Sequence, residues 1–88
     1  MFWKKDSFKL KIKGRAGLIY SESGKVLKID SEMLTGPEYD MVVYASSISH
    51  WEHPHDSELL SDPEKQRVKI NILSKLAESK IKVDWVEN

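Results

Sequence analysis

Three histidines stand close together in the chain, His50, His53 and His55, in the pattern H-x-x-H-x-H, with Glu52 and Asp56 interleaved. Imidazole and carboxylate are donors that zinc and nickel accept. The spacing straddles a strand end and a loop at Pro54, so the rings need not converge, and no second cluster supplies further ligands. They read as surface histidines in a polar loop, and neither a metal nor a cofactor is expected. Imidazoles titrate near neutrality, so a contact made through them would be pH-sensitive. Ser46, Ser47 and Ser49 precede His50. A hydrolase needs its serine on a strained elbow, with a base and an orienting acid. No Gly-x-Ser-x-Gly flanks these serines, which read as turn residues, and the four glycines are too scattered to cradle a phosphate. No enzymatic activity is expected.

The charges carry more information. Basic and acidic residues balance at 14 each, but they are segregated. Residues 1–17 hold Lys4, Lys5, Lys9, Lys11, Lys13 and Arg15 against Asp6 alone. Residues 29–64 contain no Lys or Arg and nine acids: Asp30, Glu32, Glu38, Asp40, Glu52, Asp56, Glu58, Asp62 and Glu64. Such segregation governs association and steering rather than fold. Two outcomes are open: the segments neutralise each other, or the acids face a partner. The basic start also contains Phe2, Trp3 and Phe8, and basic grooves with aromatics hold single-stranded nucleic acid. The competing reading is a lysine-guarded edge strand, favoured because a period-2 strand points Phe8 away from the lysines. Trp51, at the junction of strand and acidic loop, is either a core plug or an interface anchor.

The elements that position these residues follow from length and pattern. The 88 residues, 40% hydrophobic and 32% charged, suit one globular α+β domain over 1–88, with its core roughly at 8–86. No apolar run is long enough for a bilayer, no signal peptide is visible, and there is no cysteine, so the cytoplasm is expected. Residues 8–13 alternate apolar and lysine, a half-buried strand. Gly14 and Gly17 bracket a turn or bulge. Residues 18–20 and 26–29 form a hairpin about the turn at 21–24, and 31–38 read as a loop. Residues 39–44 read as a central strand, 45–47 as a turn and 48–51 as a short strand.

Ser61-Asp62-Pro63-Glu64 fits a capping box and starts a helix running to about Glu78. Val68, Ile70, Ile72, Leu73, Leu76 and Ala77 spread over roughly 200° of its circumference. Ile81, Val83 and Trp85 alternate with Lys82 and Asp84 in a last strand. The expected architecture is a small twisted, mostly antiparallel sheet of five to six strands. One helix in the C-terminal half packs on it, and the final strand follows that helix.

Several stretches together resemble the immunity protein 74 family of bacterial polymorphic-toxin systems. They are Gly24-Lys25-Val26 through Asp30, Met33-Leu34-Thr35-Gly36, Tyr39-Asp40-Met41-Val42-Val43-Tyr44, Ser47-Ile48-Ser49-His50-Trp51 and Glu64-Lys65-Gln66-Arg67-Val68 with Ile70 and Ile72. The similarity covers roughly residues 10–85, and the Trp51–Pro54 corner before the Pro63-Glu64-Lys65 helix start is its most recognisable part. The resemblance implies a small α+β protein, made beside a toxin gene, that binds the toxin in the cytoplasm and blocks it. It assigns no contact residue, so the expected site rests on charge.

Nuclease toxins have basic clefts because they hold phosphate backbones. An inhibitor of such a cleft presents acids that speed encounter, with buried aromatics adding affinity. Glu52, Asp56 and Glu58 are the expected partners of toxin Arg or Lys, His53 and His55 a hydrogen-bonding rim, and Trp51 a candidate anchor. The alternative function is a nucleic-acid-binding module using the basic first strand.

Overall fold

Strict alternation of lysine with apolar side chains makes Phe8–Ile12 a strand, β1, whose lysines face solvent while Phe8 and Leu10 are half-buried. In the computed structural model, which describes residues 8–13 and 17–87, β1 is followed by β2 (Leu18–Glu22), β3 (Lys25–Ile29), β4 (Ser31–Met33) and β5 (Met41–Tyr44). A single 3₁₀ turn (Ala45–Ser47), the helix α1 (Asp62–Glu78) and β6 (Val83–Val86) complete the order. The fold is α+β, with a last strand after the helix. The six strands are divided between two three-stranded sheets, ordered β1-β2-β3 and β4-β5-β6. The first is antiparallel throughout. In the second, β4 pairs antiparallel and β6 parallel to the central β5.

The register of the first sheet lines up Ile12, Leu18 and Ile29 in one row and Leu10, Tyr20 and Leu27 in the next. Phe8 stacks on Tyr20, ring centroids 5.6 Å apart. In the second sheet, Ser31, Val43 and Trp85 form one row and Met33, Met41 and Val83 another. Leu18, Tyr20, Leu27, Ile29, Met41 and Val43 are buried in one apolar cluster that takes in both sheets. The helix closes that cluster with Val68, Ile72 and Leu76, and Ile48, Trp51 and Leu60 fill it from the connecting segment. Each fully buried aliphatic side chain contributes about 1.5–3 kcal/mol.

Three sequence expectations need correction. Ser31 to Met33 is a strand, not loop, because its backbone pairs with β5, a long-range partner that the polar composition Ser-Glu-Met does not announce. Residues 48–51 form no strand. Ile48 and Trp51 are buried, and the backbone there makes only an isolated bridge between His50 and Leu59. The helix buries a narrower stripe than the apolar spacing suggests: Ile70 is 63% exposed and Ala77 also faces solvent. Among the described residues no element packs on that side of α1, so an apolar type there is not drawn inward.

The helix start behaves as its residues dictate. The Ser61 hydroxyl accepts from the Glu64 N–H at 3.3 Å, and the Glu64 carboxylate accepts from the Ser61 N–H at 2.8 Å. That backbone bond is the main cause holding the Glu64 carboxyl below its ordinary value. Two further anchors tie α1 to the first sheet. Asn71 donates to the Tyr20 hydroxyl at 2.9 Å, and that hydroxyl donates to Glu22 at 2.6 Å. The Arg67 guanidinium closes the network on the same Glu22 carboxylate. Burial, reinforced by Glu22, pushes the Tyr20 phenol well above its usual range.

The chain switches sheets at Asp30. Its carbonyl accepts from the Tyr44 N–H at 3.0 Å, and its N–H donates to the Ser47 hydroxyl at 2.9 Å. Gly17 lies against this corner with φ +94°, and a Cβ there would sit 2.3 Å from the Ile29 carbonyl oxygen. The glycine turn expected at residues 14–17 is closed by Lys13 N–H donating to the Gly17 carbonyl at 2.8 Å, while Gly14, Arg15 and Ala16 lie outside the described residues. Gly17→Ala therefore combines left-handed strain with a backbone clash and is expected to cost about 2 kcal/mol or more in a urea titration. Gly24→Ala, also left-handed but with nothing within 4 Å of its Cβ, should cost about 1 kcal/mol. Equal losses would overturn the account of the corner.

Candidate partner-binding surface

The acidic segment after Trp51 is held by backbone bonds at both ends. Glu52 N–H donates to the Val26 carbonyl at 2.7 Å, docking the loop on the start of β3. His55 N–H donates to Glu52 at 2.9 Å, and Glu58 N–H to His55 at 3.0 Å, so residues 52–58 turn twice. Leu60 N–H returns to the Ser49 carbonyl at 3.0 Å. The loop is thus a fixed projection rather than a free tail.

Its side chains divide into two groups. Glu58 is engaged within the chain: Lys25 donates to its carboxylate at 2.7 Å, and His55 Nδ1 lies 3.2 Å from its other oxygen. These two partners, Lys25 first, hold the Glu58 carboxyl below the ordinary 4.5. The same pairing raises the Lys25 ammonium. Asp56 and Asp62 are exposed and Glu52 is half-buried, and none of the three forms an ion pair with lysine or arginine among the described residues. The acidic middle is therefore neutralised by the chain at Glu58 but not across its length. No ion pair joins Lys9, Lys11 or Lys13 to it among the described residues.

The histidines face separate partners. His50 Nδ1 is 3.0 Å from the Ser49 hydroxyl, His53 Nδ1 is 3.7 Å from Asp56, and His55 meets Glu58. Among the described residues no group of three or more His, Asp or Glu side chains is placed to share a metal ion. Ser47 is a structural serine, donating to the Tyr44 carbonyl at 2.7 Å while accepting from Asp30. His50 contacts the neighbouring Ser49, and among the described residues no carboxylate is paired with its ring.

Trp51 is a core residue. Its indole is 1% exposed, so of its two readings, plug and anchor, the plug is what the packing realises, and it offers a partner no surface. Lys25 lies over this ring at 5.6 Å and so joins the core plug to the acidic loop. Sequence reasoning missed Lys25. It stands 33 positions from Glu58, and no periodicity or motif signals such a pair. On β1 the lysines project from one face while Phe8 packs inward on Tyr20, as the edge-strand reading requires. Phe2, Trp3, Lys4 and Lys5 lie outside the described residues.

The Lys25–Glu58 pair has a pH signature. A carboxyl held below its unfolded value stabilises the fold above that value and loses the contribution as pH falls through the folded one. Lys25→Met should therefore move the Glu58 titration midpoint up toward 4.5, followed by NMR of the side-chain carboxyl. An unmoved midpoint would show that Lys25 does not hold this acid.

No curated protein and no solved structure matches the chain. A family model does: immunity protein 74, over residues 5–86. That span includes both sheets, the capped helix and the acidic loop just described. A small α+β chain with a projecting acidic loop, matched along nearly its whole length, belongs to the immunity protein 74 family.

Proposed function

We propose that this chain neutralises a cognate bacterial toxin domain by stoichiometric contact, without turnover, and that it does so in the cytoplasm of the producing cell through acidic side chains. Family membership supports the class of partner. The observation that carries the mode of contact is the base-free run 29–64, in which Glu52, Asp56 and Asp62 form no ion pair with lysine or arginine among the described residues. A toxin with a phosphate-holding cleft, such as a nuclease, presents the complementary basic surface. Acids facing such a cleft raise the encounter rate and fix orientation.

Within the loop the roles differ. Glu52 and Asp56 meet toxin Arg or Lys directly. Glu58, neutralised by Lys25, fixes the loop on β3, and His53 and His55 form a polar rim. Coulombic attraction across such a rim is screened by salt, which separates it from apolar contact.

The test uses the toxin domain encoded beside the chain. Replacing Glu52, Asp56 and Glu58 together by Ala should slow association about tenfold at low salt and flatten its dependence on ionic strength. An unchanged association rate would remove this loop from the contact.

A further inference from the structure

Trp51 is buried, so beside the acidic loop the exposed apolar surface is the single side chain of Leu59. An anchor lies elsewhere, where β4 runs into the connection to β5. Met33 is 52% exposed, Leu34 37% and Tyr39 40%. Leu34, Thr35, Gly36, Pro37, Glu38 and Tyr39 line a shallow, mainly apolar concavity of about 410 Å³. Exposed apolar side chains are ordinary when scattered singly, as Leu59 and Ile70 are on other elements. Three on one short loop with a concave surface mark an interaction site.

This loop is held in place. Leu34 N–H donates to the Asp40 carbonyl at 2.9 Å and closes it. Asp40 N–H donates to the Lys82 carbonyl at 2.8 Å, and Lys82 N–H returns to the Asp40 carboxylate at 2.9 Å. The Lys82 ammonium donates to the Pro37 carbonyl at 3.1 Å, so this neighbouring cation is spent on the loop's own backbone. A surface fixed in advance loses little conformational freedom on binding. Its surroundings are acidic. Glu38 lines the hollow and Asp40 closes the loop, whereas Glu32 and Asp84 share a row on the opposite face of the sheet from Met33. Tyr44 donates to Glu32 at 3.2 Å on that opposite face. An apolar hollow with the exposed Glu38 carboxylate in its lining is complementary to an apolar knob beside a cation.

We propose that residues 33–39 are the apolar anchor of the toxin contact. The occupant is a basic face of the toxin domain that inserts an aliphatic or aromatic side chain beside a lysine or arginine. The assignment rests on the immunity reading above. It divides the labour: the acids of the 52–58 loop govern how fast the complex forms, and this loop governs how long it lasts. Apolar anchors act mainly on dissociation, whereas rim charges act on association.

The experiment is surface-immobilised binding of the adjacent toxin domain to the full chain and to the triple variant M33S/L34S/Y39S. Urea melts establish that the variant is folded, which is expected because all three side chains are largely outside the core. The expected result is a dissociation rate raised about tenfold or more, with association changed little and with I70S, an exposed apolar control on the helix, indistinguishable from the parent. Three results overturn the assignment alone: unchanged dissociation in the triple variant, an equal effect of I70S, or sedimentation showing that the patch instead joins two copies of this chain. Failure of the parent chain to bind the toxin domain overturns the immunity reading, and this assignment falls with it.

Discussion

Everything in this molecule depends on one shared apolar cluster. Neither three-stranded sheet is large enough to be stable by itself, because each buries one face only against something else. The helix stripe Val68–Ile72–Leu76 supplies that cover, and Leu18, Tyr20, Leu27 and Ile29 from one sheet meet Met41 and Val43 from the other beneath it. Trp51 fills the remaining volume from a segment with no regular structure. The corner at Asp30, where the chain leaves one sheet and enters the next, can be this tight only because Gly17 has no side chain.

That core leaves polar segments as rigid projections. Glu52 N–H is spent on β3 and Asp40 on Lys82, so both surface loops are anchored by backbone bonds, reinforced by the Asp40 and Glu58 carboxylates. Other side chains on such loops remain free for a partner. Among the described residues, the ion pairs Lys25–Glu58, Arg67–Glu22 and Lys69–Glu87 join distant parts of the chain, Lys75–Glu78 lies within α1, and most are at the surface. Exposed pairs of this kind contribute little to stability. Their larger effect is to decide which acids remain unpaired, and so where the electrostatic field points.

A member of the immunity protein 74 family need carry no catalytic motif, and this chain shows why function is hard to read from residues in isolation. Histidines, serines and carboxylates in close succession invite a metal or hydrolase reading. The structure gives the three histidines and Ser47 separate, ordinary partners: Ser49 for His50, Asp56 for His53, Glu58 for His55 and Asp30 for Ser47. What distinguishes the surface is the distribution of charge and of exposed apolar groups. The first was visible in the base-free run 29–64. The second was not, because Met33, Leu34 and Tyr39 are residue types that are usually buried, and nothing in their spacing announces their exposure.

The sequence by itself determined whatever depends on neighbours along the chain. The lysine alternation of β1, the β2–β3 hairpin, the capping box at Ser61 and the period-2 strand after the helix all appear where local pattern places them. Tertiary structure decided whatever depends on distant partners. Ser31 to Met33 became a strand because β5 lies beside it. Trp51 went inside, and Ile70 stayed outside because no described residue covers its side of the helix. Glu58 lost its freedom to Lys25. Backbone hydrogen bonds and caps act over a few residues, so a pattern encodes them. Burial and ion pairing depend on which surfaces meet, and that exists only once the chain has closed around its core.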